Sequence, residues 1–440
     1  MSKKVFVGMS GGVDSSVTAA LLMQQGYDVT GVYMKNWSQD LPGMACPWKQ
    51  DYQDAKRVAV QLGIPFKLYD FEKQYREKVV EYMIDEYQAG RTPNPDIMCN
   101  QEVKFKLFLH AALADGADLI ATGHYARIVR GASSSSSRPA GVSPKWSPRT
   151  IQRDYRLDGQ FSARERSGGA GGAAALIGLN AETEHSLRSG VLSPHPSPSV
   201  LSAPGGPQGV PLQVRSGKHT ELHAGVDVNK DQSYFLCRVT EDALQKSLMP
   251  IGEYTKPEVR ELARKFGLYT AEKKDSQGIC FVGNVGIKEF LQQFVTSRAG
   301  RIIDQHGKVL GEHDGALFYT IGQRQGLGIG GGLPYYVVGK NIDKNEVYVT
   351  NDLQDSRLWH DELTLTSPHW INEPPCAESP EGRYAVRTRY RAPLLGVKQI
   401  RQLENGNWHL VLAEEVRALT AGQSAVLYED DRVVGSGIVI

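Results

Sequence analysis

The chain has 440 residues, with 50 Lys+Arg against 49 Asp+Glu, so its formal net charge is +1. That length predicts two to four domains, and 40% hydrophobic with 22% charged residues is the make-up of a globular protein whose core needs no disulfides or metals. Near-neutrality argues against coating nucleic acid through bulk charge and leaves room for a local basic face.

At the N-terminus a five-residue apolar run, Val5 to Met9, gives way at once to glycines. A secretory signal needs a longer apolar stretch, and no run of 18 apolar residues occurs, so a soluble, cytoplasmic protein without membrane contact is expected. Cys46, Cys99, Cys237, Cys280 and Cys376 form no CxxC pair, which predicts neither a zinc ribbon nor a disulfide framework; no metal site follows from any protein motif. Each cysteine, taken alone, reads as a small buried hydrophobe.

The first 125 residues alternate strand and helix signals. Val5–Met9, Val29–Met34, Phe66–Phe71 and Leu119–Thr122 are short buried-strand runs. Between them, Val13, Val17, Ala20 and Leu21 share a helical face, as do Tyr52, Ala55, Val58, Ala59 and Leu62, and again Phe105, Phe108, Leu109 and Ala112. This order predicts an α/β fold with a parallel sheet covered by helices on both faces. From 132 to 216 it collapses: 36 of these 85 residues are Ser, Pro or Gly, and apolar periodicity is lost. Such a segment reads as a disordered low-complexity insertion between two strands that a short turn could have joined. It holds nine Lys+Arg and five Asp+Glu, leaving the remainder of the chain mildly acidic. Lys256–Phe266 reads as a helix, with Pro257 in its first turn. Beyond about Gly300, short strands and turns predict one or two small barrels, among them GALFYTI and RYAVRTRYR. The expected division is 1–131 plus 217–285 for the catalytic α/β domain, 286–355 for a small central β-rich domain, and 356–440 for a C-terminal β-barrel.

Directly after the first strand stands Gly8-Met9-Ser10-Gly11-Gly12-Val13-Asp14-Ser15-Ser16. Two glycines let the backbone turn tightly, and the helix that follows offers N–H donors to a phosphate. The lysine of a Walker A loop is missing. Gly326, Gly328 and Gly331 match G-x-G-x-x-G formally, but no helix pattern follows them and a turn is expected. Asn94-Pro95-Asp96-Ile97-Met98-Cys99-Asn100 is followed by another helix, carrying Phe105 and Phe108; a cysteine near a helix start can gain thiolate character, and Asp96 reads equally as a cap or as a proton-transfer group. Downstream, Gly278 and Gly283 bracket Cys280 in what reads as a mobile loop exposing a thiol.

The first motif resembles the PP-loop, SGGxDS, of the ATP pyrophosphatases. SGGVDSS, NPDIMCN, ATGHYAR, KDQSYFL, GICFVG and YTIGQRQGLG moreover follow the order seen in tRNA-specific 2-thiouridylases, a resemblance spanning nearly the whole chain outside 132–216. It implies a PP-loop domain that uses ATP with Mg²⁺ to adenylate the C2 oxygen of the wobble uridine of tRNA. Sulfur would arrive as a persulfide from a cysteine desulfurase or sulfur-relay protein. By that resemblance Gly8 to Ser15, Met34 and Gly123 hold ATP. Cys280 carries the persulfide, and Cys99 is the partner nucleophile that releases sulfide or closes a transient disulfide with Cys280. Asn94, Pro95 and Asp96 lie against the target base, while His124, Lys230, Asp231, Gln232, Arg389, Tyr390 and Gln423 contact tRNA. His124 reads equally as a structural histidine. Arg387, Arg389 and Arg391 alternate along a predicted strand and would share one face. Two further readings are a tRNA-binding protein without turnover and another PP-loop adenylating synthetase; the latter needs neither cysteine nor a basic barrel.

Overall fold

The computed structural model describes residues 2–40, 46, 48–132, 219–274, 286–330, 332 and 334–440. Most of the 132–216 stretch, the 275–285 segment with Cys280, and Gly331 lie outside them. Strands β1 (Lys4–Gly8), β2 (Asp28–Lys35), β3 (Phe66–Asp70) and β4 (Leu119–Ala121) form a parallel sheet in the order β3-β2-β1-β4, which the two-residue β7 (Ser247–Leu248) extends beyond β4. Alternate residues of β1 face opposite layers. Val5 and Val7 pack with Val13 and Val17 of helix α1 (Val13–Gln24) and Ala55 and Val58 of helix α2 (Trp48–Leu62). Phe6 turns to the other layer, with Val103, Phe105 and Phe108. This is the helix-covered parallel sheet that the alternation predicts.

One helical run crosses Pro95–Met98 as α-helix, Cys99–Phe108 as π-helix and Leu109–Ala114 as α-helix again. It starts well before the apolar face at Phe105 that announces it in the sequence. A second π-turn, Arg76–Val80, packs beside it. Wide turns of this kind are rare and concentrate where a fold places functional groups.

β5 (Ala126–Ala132) and β6 (His219–Ala224) are antiparallel neighbours, with Ala132 opposite His219. The two strands flanking the insertion therefore form one hairpin. Its β6 edge also bonds to the last strand of the chain, Leu222 opposite Val433, so the hairpin extends a sheet of the C-terminal domain.

The central sheet contains β8 (Gly300–Ile303), β9 (Val309–His313), β10 (Tyr336–Asn341) and β11 (Glu346–Thr350), ordered β10-β11-β8-β9 around Ile302, Val337, Val347 and Val349. GALFYTI departs from its predicted strand: Ala316–Phe318 is a 3₁₀ turn, and Gly326 and Gly328 of the formal glycine motif lie in turn and loop. The tail comprises β12 (Trp359–Trp370), β13 (Ala385–Arg387), β14 (Leu395–Gln402), β15 (Trp408–Arg417), β16 (Ser424–Glu429) and β17 (Arg432–Val439). They run β12-β15-β14-β13-β16-β17, and β17 pairs back onto β12, closing a six-stranded barrel.

The shared face predicted for Arg387, Arg389 and Arg391 does not form. The strand ends at Arg387 and the chain turns, with Arg391 at φ 62°. Arg387 is buried and pairs with Asp231 at 3.3 Å over the Tyr428 ring, whereas Arg389 and Arg391 are exposed. A guanidinium on the buried side of a barrel strand needs an acid, and Asp231 supplies it.

Candidate functional site

The Gly8–Ser15 loop takes its shape from two close approaches. Gly11 sits at φ +74°, and a Cβ there would lie 2.4 Å from the Asp51 carbonyl oxygen, so only glycine fits. A Cβ on Gly123, just past the end of β4, would lie 2.8 Å from the Ser15 nitrogen, which brings that strand end against the loop. Met34 flanks Gly8 from the end of β2. Ser15 and Ser16 turn their hydroxyls onto the Gly12 carbonyl at 3.2 and 2.7 Å, and the Ser10 N–H donates to Ser15 Oγ. Gly12 occupies the cap position of α1 and has no side chain to satisfy the first-turn N–H groups. Such an end, with β1, β2 and β4 pointing at it, fits a polyphosphate.

Two lysines from distant segments grip this loop. Lys256 Nζ donates to both Asp14 oxygens at 2.8 and 2.9 Å, and the Tyr125 hydroxyl donates to Oδ1 at 2.8 Å. Lys273 Nζ donates to the Gly11 carbonyl at 3.0 Å, to Asp51 at 3.0 Å and to the buried Asp54 at 2.8 Å. Burial alone would lower the Lys273 pKa, but the hydrogen bonds to Asp54 and Asp51 outweigh it and hold the ammonium above its ordinary value. Burial works against ionised Asp54 as well, and the Lys273 bond keeps its carboxyl below the usual range. Neither lysine is among the residues expected from the sequence. One signal was there: a cation in the first turn of a helix opposes the macrodipole, so Lys256 beside Pro257 calls for an acid nearby.

At the helix bearing Cys99, the Asn94 side chain accepts from the Ile97 N–H, so Asn94 is the cap and Asp96 lies in the first turn. Cys99 is the fifth residue of the helical run and 1% exposed, beyond the reach of the end dipole invoked for it. Three domains converge just ahead of this helix. The Thr92 N–H donates to the Ala421 carbonyl, Gln423 Nε2 donates to the Thr92 carbonyl at 2.7 Å, and the Thr92 and Thr320 hydroxyls lie 3.3 Å apart. Nearby, Arg389 donates to the Ala418 carbonyl and the Tyr390 ring rests 4.3 Å from Phe235.

Of the residues expected at tRNA, His124 and Asp231 are buried and Gln232 is half-buried. His124 is buried against Thr122 Oγ1 at 2.8 Å and Phe105, and burial pushes its pKa well below the ordinary value. Asp231 is 6% exposed and accepts from Gly225 N, Ser233 N and Arg387. Gln232 clasps Tyr125 through both backbone and side chain. Lys230 is half-buried at a groove of about 510 Å³ shared with Lys256, Arg260 and Arg264. Among the described residues no group of three His, Cys, Asp or Glu could hold a metal ion, and no helix is long and apolar enough to cross a membrane.

Comparison with known proteins assigns the whole chain. It is 39% identical to the tRNA-specific 2-thiouridylase MnmA of Bacillus subtilis (strain 168) over 437 residues, which is 99% of this chain and 94% of that protein. The chain belongs to the tRNA-specific 2-thiouridylase family. The Bacillus cytotoxicus thiouridylase is 37% identical over the same length. The family models that match are described as the tRNA methyl transferase HUP domain (residues 3–142 and 210–284), the tRNA methyl transferase PRC-barrel domain (288–351) and the aminomethyltransferase beta-barrel domain (360–439). These segments coincide with the parallel sheet, the central sheet and the closed barrel, so the chain is a tRNA-modifying enzyme of the thiouridylase family in all three parts. The three domain families carry methyl-transfer names, whereas the full-length relatives are named for thiolation.

Proposed function

We propose that this chain is an ATP-dependent tRNA-uridine 2-sulfurtransferase. The observation that carries the reading is the match of 99% of the chain to curated thiouridylases, which takes in the phosphate-shaped loop, the Cys99 helix and the barrel together. The uridine C2 oxygen attacks the α-phosphorus of ATP, an O–P bond forms and pyrophosphate departs. This turns a poor leaving group into a phosphate ester. The persulfide sulfur on Cys280 then bonds to C2 as AMP leaves. Cys99 thiolate attacks Cys280 Sγ, breaking the S–S bond, freeing the thiocarbonyl and leaving a Cys99–Cys280 disulfide for an external thiol to reduce. Alternatively, Cys99 releases sulfide from the persulfide, and the sulfide attacks C2. An ordinary cysteine is only a few per cent thiolate at neutral pH, which is why a persulfide or a released sulfide suits the transfer.

Within this reading Gly8 to Ser15, Met34 and Gly123 hold ATP, with Mg²⁺ entering on the polyphosphate. Asn94, Pro95 and Asp96 meet the base. Arg389, Tyr390, Gln423, Lys230 and half-buried Gln232 serve tRNA; the buried His124 and Asp231 support these groups from inside. Pyrophosphate release from ATP should require tRNA and survive Cys280→Ser, whereas sulfur incorporation should not. Full thiolation by the Cys280→Ser protein would overturn the carrier role, and tRNA-independent pyrophosphate release would overturn uridine activation.

A further inference from the structure

The peptide joining Gly11 to Gly12 is the most easily reversed unit of the phosphate loop. It lies between two residues without a Cβ, so rotating its plane by half a turn meets little steric resistance. The peptide is planar and trans, hence its N–H points opposite to its carbonyl. In the orientation present, the Gly11 carbonyl is turned onto Lys273 Nζ at 3.0 Å, and the Gly12 N–H is thereby turned the other way, to the side of the α1 N-terminus. Reversal would aim the carbonyl oxygen at the space meant for phosphate and remove a donor from it.

Lys273 is itself held firmly. Asp51 accepts at 3.0 Å and Asp54 at 2.8 Å, and Asp54 is fixed in turn by Gln50 at 2.8 Å and the Tyr269 hydroxyl at 3.1 Å. Asp54 is 2% exposed. Two carboxylates thus fix one ammonium against one backbone oxygen at the turning point of the loop.

We propose that Lys273 is a positioning residue for the nucleotide: held by Asp51 and Asp54, it pins the Gly11 carbonyl so that the Gly12 N–H faces the phosphates. This rests on the ATP reading above and assigns a role to a residue that does not itself touch the reacting atoms. It also gives the acidic pair in α2 a purpose that a phosphate site would otherwise oppose, since those charges are spent on the lysine.

The test is Mg·ATP binding by equilibrium dialysis with the full chain, alongside the melting temperature. Lys273→Gln shortens the side chain by one atom, removes the charge and leaves buried Asp54 with only the exposed Arg57 guanidinium, at 3.4 Å, as counterion. It should weaken ATP binding by about tenfold or more, the size of a lost charge-assisted hydrogen bond, and lower the melting temperature. Lys273→Gln combined with Asp54→Asn keeps the local net charge and removes the buried carboxylate that Arg57 alone would have to balance. The double variant should recover the melting temperature and still bind ATP weakly. Lys273→Arg, which retains a multidentate cation, should bind ATP within about threefold of the natural chain. Recovery of ATP affinity together with stability in the double variant would overturn the proposal, because Lys273 would then only neutralise Asp54. Unchanged affinity in Lys273→Gln would overturn it too. Failure of the unsubstituted chain to bind ATP would instead bring down the nucleotide reading, a result visible before any variant is made.

Discussion

The Asn94 side chain caps the helix that places Cys99, and its loss should be felt at both positions. Asn94→Ala is expected to cost about 1 kcal/mol of stability, a typical value for a lost cap, and to slow sulfur transfer more than ATP binding; calorimetry and single-turnover thiolation measure the two. Thiol environments differ sharply along the chain. Burial pushes Cys237 up to about 11, burial also raises half-buried Cys46, and Cys376 is exposed. Brief alkylation at pH 8 followed by peptide mass mapping should therefore mark Cys376 first and Cys237 last among these three; rapid labelling of Cys237 would contradict its placement. At this scale the sequence is legible where chemistry is contiguous. Gly11, Gly12 and Asp14 stand in one motif, and Asn94 and Cys99 in another. Lys256 and Lys273 were not, because their partners lie 242 and 219 positions away and no local period connects them.

The junction between the β5–β6 hairpin and the barrel depends on a histidine. His223 sits between Asp431 and Glu221, 3.0 Å from each, and Arg127 also bonds to Asp431. Burial would lower the His223 pKa, but the bonds to Asp431 and Glu221 raise it above the ordinary value, and Asp431 is brought down to about 2, chiefly by His223. Since the folded form favours protonated His223, its contribution is full below about pH 6.5 and fades as pH rises through the raised value. Hydrogen exchange at His219–Ala224 should accordingly quicken above neutrality, once corrected for intrinsic rate, and His223→Gln should remove that dependence. A pH-independent opening in the natural chain would contradict it. The strand–helix alternation made the parallel sheet readable, because buried strands and amphipathic helices each imprint a period. Alternation misled at Arg387-Thr388-Arg389, because β13 ends at Arg387, whose side chain is buried against Asp231, and the chain then turns through Arg391.

Across the whole molecule, the insertion interrupts a hairpin whose ends are already paired, Ala132 opposite His219. Replacing residues 133–218 by a short turn should leave thiolation unchanged and stabilise the chain by about 2–3 kcal/mol, since loop-closure entropy grows with the logarithm of length; urea unfolding measures the gain, and lost activity would mean the segment takes part in catalysis. The domain order was legible because each region has its own period and turn density. The docking of all three on Thr92 was not, being made of backbone groups, the Gln423 amide and the Thr92 and Thr320 hydroxyls, which no local period announces. Convergence there places the barrel's Arg389 and Tyr390 and the helix bearing Cys99 in one neighbourhood, which is what the proposed transfer to a tRNA base would need. The most direct measurement is nucleoside mass spectrometry of unmodified tRNA after incubation with the full chain, ATP, Mg²⁺ and a persulfide donor. The expected result is 2-thiouridine that requires ATP and disappears with Cys99→Ser and with Cys280→Ser. No 2-thiouridine despite tight tRNA binding, or undiminished product without ATP, would contradict the account.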